Sequence, residues 1–258
     1  MPFTASDGVR IYFESFGAGK PIVLVHGWGS DLRHNWMATG WLDALRAIRR
    51  VVALDCRGHG QSDKPREQAA YSYRAMSRDV LRVMDQLAIE RADFLGYSMG
   101  ACIGACLLGE APQRFSAMVL GGIGDETPES EGACRAIAAA LRAPRAEDIA
   151  DPIGRAYRAY AAANPHSDLE ALALSALQMW PEGYPLELAG PRHSEVDLPL
   201  LVVNGADDHP YVRSDERFVA EIPGARLVRI PDRDHISVVP DPRFKAAVIE
   251  FLTQRDRA

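Results

Sequence analysis

Basic segments are missing from this chain. A formal charge of −6 comes with no basic patch or tail, which argues against nucleic acid and anionic membrane surfaces as partners. No run approaches the roughly 20 apolar residues needed to span a bilayer. The opening Met1-Pro2-Phe3-Thr4-Ala5-Ser6-Asp7-Gly8 lacks the basic start and apolar core of a secretory signal. Cysteine is scarce, with four residues, Cys56, Cys102, Cys106 and Cys134, and no Cys-x-x-Cys spacing. Such residues read as free, reduced core thiols, and together these features lead us to expect a cytoplasmic protein. No His/Cys/Asp/Glu cluster has metal-ligand spacing and no Gly-rich loop has a phosphate-cradling form. Neither a metal nor a cofactor is expected.

What is present is the material of a large core. The chain has 258 residues, 47% of them hydrophobic and 25% charged, which suits one large α/β domain or a core with an insertion. Val9 to Phe16 alternates apolar and polar residues like a half-exposed antiparallel strand, and Asp7-Gly8 before it is a hairpin signal with Phe3-Thr4-Ala5 as edge partner. Of four later runs, Pro21–Val25, Val51–Leu54 and Ala117–Leu120 are continuously apolar, and Ala92–Leu95 is a short apolar strand interrupted only by Asp93. Such runs mark parallel strands buried on both faces. Helices are predicted between them at about Trp36 to Ile48, Tyr71 to Leu87 and Ala101 to Leu108. The second of these places Met76, Val80, Val83, Met84 and Leu87 on one face.

The alternation stops at about Asp125. From there to residue 194 the sequence carries Ala-rich helical patches, interrupted by prolines, and no strand signal. It then resumes with strands at Pro199–Val203 and Leu227–Ile230 and helices at Ser214–Ala220 and Phe244–Thr253. The expected organisation is a core of residues 1–124 and 195–258 with a helical insertion at 125–194. Its fold class is α/β, a doubly wound and mostly parallel sheet. Ligands of such sheets bind beyond the carboxyl ends of the strands, which here carry His26-Gly27-Trp28, Asp55-Cys56-Arg57-Gly58, Ser98, Gly121-Gly122 and Gly205-Ala206-Asp207-Asp208.

Gly96-Tyr97-Ser98-Met99-Gly100 sits between a strand and a helix. Gly-x-Ser-x-Gly in that setting is the nucleophile elbow, a turn too sharp for bulk two residues either side of the serine. The bare pattern arises by chance in about one chain in ten of this length, so context decides. A serine hydroxyl needs an adjacent base, and the base needs a third group to orient it. The chain supplies Ser98, then Asp207-Asp208 after a strand, then His235 after the last strand.

In this order and context the chain resembles an α/β-hydrolase-fold protein with a helical cap. The resemblance rests on His26-Gly27-Trp28-Gly29, Asp55-x-Arg57-Gly58-His59-Gly60-x-Ser62-Asp63, the elbow, Gly205-x-x-Asp208, and His235 before the final helix. It implies Ser98 as nucleophile, His235 as base and Asp208 as orienting acid. It further implies an oxyanion hole from the N–H groups of Trp28 and Met99, with Trp28 and Tyr97 beside the substrate. The activity it implies is a serine hydrolase acting on a small carboxylic ester or lactone through an acyl-enzyme. C–C bond hydrolysis, perhydrolysis with the same residues and non-catalytic ligand sensing remain alternatives. Ala101 stands where many relatives have glycine, and Asp234 puts a second carboxylate beside His235, either for the imidazolium or for solvent. His26, Arg57, His59, His209 and Asn35-Trp36 read as structural. Within the insertion, Tyr157, Tyr160, Trp180 and Tyr184 fit a pocket or helix packing equally well, and Arg155, Arg158, Arg192 and His193 fit a substrate carboxylate or a solvated surface.

Overall fold

The computed structural model describes residues 2–126, 131–191 and 193–256. Eight strands form one sheet: β1 (Phe3–Ser6), β2 (Val9–Phe16), β3 (Pro21–Val25), β4 (Arg50–Leu54), β5 (Ala92–Tyr97), β6 (Phe115–Gly121), β7 (Leu200–Gly205) and β8 (Arg226–Ile230). Their order is β1-β2-β4-β3-β5-β6-β7-β8. The first two strands pair antiparallel, and β3 to β8 run parallel. The apolar runs become the buried centre because helices cover both faces and leave no water for a polar side chain to meet.

One face carries α2 (Tyr73–Gln86) and α3 (Met99–Glu110) over Val23, Val25, Phe94 and Met118. The other carries α1 (Trp41–Leu45) and α9 (Pro242–Arg255) over Ile22, Leu24, Leu95 and Val119. Ser72 caps α2 by accepting from the Ala75 amide at 3.0 Å, the side-chain acceptor an orphan first-turn donor requires.

The helix predicted over Trp36 to Ile48 is not one helix. Arg33–Met37 forms a wide single turn closed by Ala38 N–H donating to Arg33 C=O, Gly40 then takes φ +79°, and only Trp41–Leu45 is α-helical. The apolar spacing of Trp36, Trp41 and Leu45 is met through this break, with Trp36 and Trp41 in edge contact at 6.0 Å. Between β6 and β7 lie α4 (Glu131–Arg142), α5 (Pro152–Ala163), α6 (Leu169–Met179) and α7 (Pro185–Ala189). After β7 comes α8 (Asp215–Ala220), which leads to β8.

The two elbow glycines have a steric reason. A methyl at Gly96 would lie 2.2 Å from the Gly100 carbonyl oxygen, and one at Gly100 would lie 2.0 Å from the Val25 carbonyl oxygen. Backbone on both sides has no room to retreat. Gly100→Ala should therefore cost about 4 kcal/mol or more, a Tm lowered by about 10 °C or more in a chain of this size. Thermal unfolding followed by circular dichroism tests this, and a Tm within a degree or two of wild type would refute it.

Candidate active site

Ser98 lies between β5 and α3 with φ +52° and ψ −112°, a region that non-glycine residues enter only under strain. The sharp turn lifts its hydroxyl off the end of the sheet, half-buried at the floor of a cavity of about 500 Å³. The loop after β8 brings His235 to it. His235 Nε2 stands 2.9 Å from Ser98 Oγ, and His235 Nδ1 stands 2.8 Å from Asp208 Oδ1. An ionised carboxylate only accepts hydrogen bonds, so Nδ1 carries the proton and Nε2 is left to accept from the serine. The structure thus brings Ser98, His235 and Asp208 together across 137 residues of chain.

Asp208 is 3% exposed. Burial pushes its carboxyl up from the ordinary value, opposed by the hydrogen bond and charge of His235. Asp207 is exposed, and its N–H donates to the Arg233 carbonyl at 2.9 Å. Asp234 is also exposed. Its Oδ1 accepts from the Ser237 hydroxyl and amide and the Ile236 amide, at 2.7, 2.7 and 3.0 Å. These bonds, Ser237's amide first, hold the Asp234 carboxyl below its usual value. Tyr97 lines the cavity, with its hydroxyl donating to the His235 backbone carbonyl. Tyr211 stacks on the His235 ring at 4.9 Å and 30°.

The turn after β3 carries the other half of the site. Gly27 N–H donates to Asn35 Oδ1 at 3.0 Å, and Ser30 N–H donates to the Gly27 carbonyl at 3.2 Å. His26 is fully buried, accepts the Cys56 amide on Nε2 at 3.0 Å and donates from Nδ1 to the Gly27 carbonyl at 2.8 Å. Burial lowers its pKa, so it stays neutral and shapes the turn. His59 is likewise held down to about 3 by burial. Arg57 pairs with buried Asp79 at 2.6 and 2.7 Å. The amide of Met99, as the first residue of α3, has no acceptor within its own helix.

Asn35 is the residue whose part the sequence reading missed. It reads as packing before a tryptophan, yet its carbonyl orders the turn that bears Trp28, and it lines the cavity. No spacing signal marks it, because the contact is made by a bend and not by a regular element. Cys102 also lines the cavity, one helical turn past Ser98, with its thiol raised to about 11 by burial. It stays protonated at neutral pH and is no rival nucleophile.

The residues of the α4–α7 segment sort themselves by contact. Tyr157 and Tyr160 line the cavity with Trp28, while Tyr184 is 45% exposed and caps α7. Arg158 donates to the Leu141 and Ala140 carbonyls at 2.6 and 3.2 Å, and Arg155 to the Ile149 carbonyl at 3.1 Å. Arg158 thus closes the end of α4, and Arg155 ties the loop that precedes α5. His193 bonds the Gly190 carbonyl at 2.6 Å. Arg192 and the side chain of Trp180 lie outside the described residues. Among the described residues no group of three His, Cys, Asp or Glu could hold a metal ion, and no helix is long and apolar enough to cross a membrane.

Comparison with known proteins agrees with this architecture. A crystal structure of a hydrolase from Pseudomonas aeruginosa PA01 is 30% identical and superposes with a TM-score of 0.79 over 97% of both chains. The enol-lactonase from Burkholderia xenovorans LB400 is 28% identical, TM-score 0.79, over 98% of this chain and all of that one. A putative 2-succinyl-6-hydroxy-2,4-cyclohexadiene-1-carboxylate synthase of Bacillus subtilis (strain 168) is 29% identical over 97% of both. With the family model for the alpha/beta hydrolase fold matching residues 20–156, just over half of its length, this chain belongs to the alpha/beta hydrolase family.

Proposed function

We propose that this α/β-hydrolase cleaves a small, uncharged carboxylic ester or lactone through an acyl-enzyme on Ser98. The observation that carries the reading is His235, hydrogen-bonded on one nitrogen to Ser98 and on the other to Asp208. Ser98 Oγ attacks the carbonyl carbon while His235 Nε2 takes its proton, and Asp208 holds the imidazolium in place. Trp28 and Met99 offer their N–H groups to the oxyanion, each donor worth about 3 kcal/mol in comparable sites. His235 returns the proton to the leaving alkoxide, and water then repeats the sequence on the acyl group. Residues 125–194 act as a cap in this reading, with Tyr157 and Tyr160 facing the acyl or alcohol portion.

The lining argues for an uncharged substrate. Trp28, Tyr73, Met99, Ile123 and Tyr157 give apolar walls, and Glu126 puts a carboxylate at the rim. Among the described residues, no arginine or lysine lines the cavity. A carboxylate entering here would shed water with no arginine or lysine to meet it. Aryl butyrate and its anionic counterpart, aryl hemisuccinate, differ mainly in that charge. We expect kcat/KM for the butyrate to exceed that for the hemisuccinate by about 100-fold, a ratio that corresponds to leaving one polar group unpaired. Preference for the hemisuccinate would overturn the substrate class, and a single turnover on every ester would favour a sensing role.

Activity should rise with pH through one ionisation, since the base must be neutral to accept the serine proton. Asp234→Asn should leave that acid limb within about 0.3 pH unit of wild type, because an exposed charge is screened by water and salt. A larger displacement in the pH profile of kcat/KM would give Asp234 a direct part in holding the imidazolium.

A further inference from the structure

The turn that carries Trp28 is gripped residue by residue from the α4–α7 segment. Trp28 Nε1–H donates to Ser175 Oγ on α6 at 2.9 Å, across 147 residues, in a fully buried contact. The indole also meets the Tyr157 ring of α5 edge-on at 5.5 Å. Gly29, at φ +73°, lies so close to Tyr160 that a methyl group there would stand 2.9 Å from the ring. Ser30 lies beside the Tyr160 hydroxyl. Asp31 Oδ2 accepts from Asn164 Nδ2, just after α5, at 3.0 Å. Four consecutive residues of one core turn thus each meet a residue of the insertion.

The grip is built to be rigid. Ser175 is 0% exposed and its hydroxyl donates to the Leu172 carbonyl at 2.8 Å, which leaves its lone pairs for the indole. The Asn164 side chain is fixed from its other end, where Oδ1 accepts the His166 amide at 3.0 Å. From beneath, the same turn is held by Asn35 on Gly27 and by Asp55 Oδ1 on the Leu32 amide at 2.8 Å. The core fixes the two ends of the turn, and the insertion fixes its middle.

From this geometry we infer that Ser175 is a positioning residue for catalysis, setting the Trp28 amide through the Trp28 side chain. The inference rests on the reading of Trp28 N–H as an oxyanion donor. A hydrogen bond to an oxyanion depends steeply on its length and angle, and the orientation of the indole governs the backbone that bears it. The insertion then contributes to kcat from a place that touches no substrate. Its seating and the completeness of the oxyanion hole become a single event.

The test is a cycle of Ser175→Ala, Ser175→Thr, Trp28→Phe and the Ser175→Ala/Trp28→Phe pair, read on an aryl ester and by the rate of fluorophosphonate labelling of Ser98. Ser175→Ala should lower kcat and the labelling rate about tenfold with KM held within about twofold. Ser175→Thr should restore both, and in the Trp28→Phe background Ser175→Ala should have no further effect. A folded Ser175→Ala with wild-type kcat would overturn the inference, as would a fall that Trp28→Phe does not absorb. If Ser175→Ala does not fold, Trp28→Phe alone decides, since it removes the donor without stranding a buried N–H. Wild-type kcat in that variant overturns the inference equally. Wild-type protein that fluorophosphonate does not label at Ser98 would overturn the parent reading instead, before any variant is compared.

Discussion

Ser98→Ala should abolish multiple turnover, with kcat reduced by about 10⁶, the loss seen when a serine nucleophile is removed from such a constellation. The substitution deletes one oxygen and leaves the β-carbon in place. The hydroxyl's recorded partner is His235 Nε2 at 2.9 Å, in a half-buried position facing the cavity. No packed group loses a neighbour, so Tm should move by no more than a few degrees. A folded Ser98→Ala protein that keeps a tenth of wild-type turnover would place the nucleophile elsewhere. Cys102 would be the nearest candidate, and its raised thiol pKa already speaks against it.

The second large effect separates two neighbouring carboxylates. Asp208→Asn should lower kcat by about 10⁴, and Asp207→Asn by less than tenfold. An asparagine at 208 can turn its amide N–H toward His235 Nδ1, which then becomes an acceptor and sends the ring proton to Nε2. A protonated Nε2 cannot take the proton of Ser98. Asp207 is exposed and is bonded through its backbone amide to Arg233, so its side-chain charge has no such path to the imidazole.

The same pair predicts an opposite effect on stability. Burial raises the folded pKa of Asp208 above its ordinary 3.8, so the unfolded chain gives up that proton first. A carboxyl raised in this way costs the fold stability once pH climbs past about 3.8 through the folded value. Asp208→Asn removes the cost, and at neutral pH its Tm should equal or exceed that of wild type while activity is nearly gone. Such an inversion is the mark of a group kept for chemistry at the expense of the fold. Steady-state kinetics and thermal unfolding of the two asparagine variants, side by side, check both halves. If Asp207→Asn were the silent variant, the register of the loop after β7 would be misread.

Much of this site is legible in the sequence because it sits where regular elements end. Buried parallel strands announce themselves as apolar runs, and Ser98 and Asp208 each follow one, while His235 follows the half-exposed edge strand β8. The sharp turn at Ser98 also leaves a chemical trace, since backbone crowding forbids a side chain at 96 and 100. What the sequence conceals are contacts between distant loops. Nothing in the spacing of Ser175, inside an Ala-Leu helix, shows that its hydroxyl meets an indole 147 residues away. Asn35 is hidden for the same reason, sitting in a wide turn where the apolar period of Trp36, Trp41 and Leu45 suggests a continuous helix. Gly40 was the visible warning, and its left-handed backbone is what ends that turn. The arginines of the insertion illustrate the converse. Arg155 and Arg158 carry charge suited to a substrate carboxylate, but backbone carbonyls of the α4–α5 connection and the end of α4 take them first.

The central claim is an acyl group on Ser98, and rapid-quench mass spectrometry of the protein mixed with an aryl butyrate tests it most directly. Within the first turnover we predict a mass gain of one butyryl group, carried by the peptide that contains Ser98 and lost on the time scale of kcat. Aryl alcohol released with no adduct on that peptide, or an adduct carried by a different residue, would contradict it.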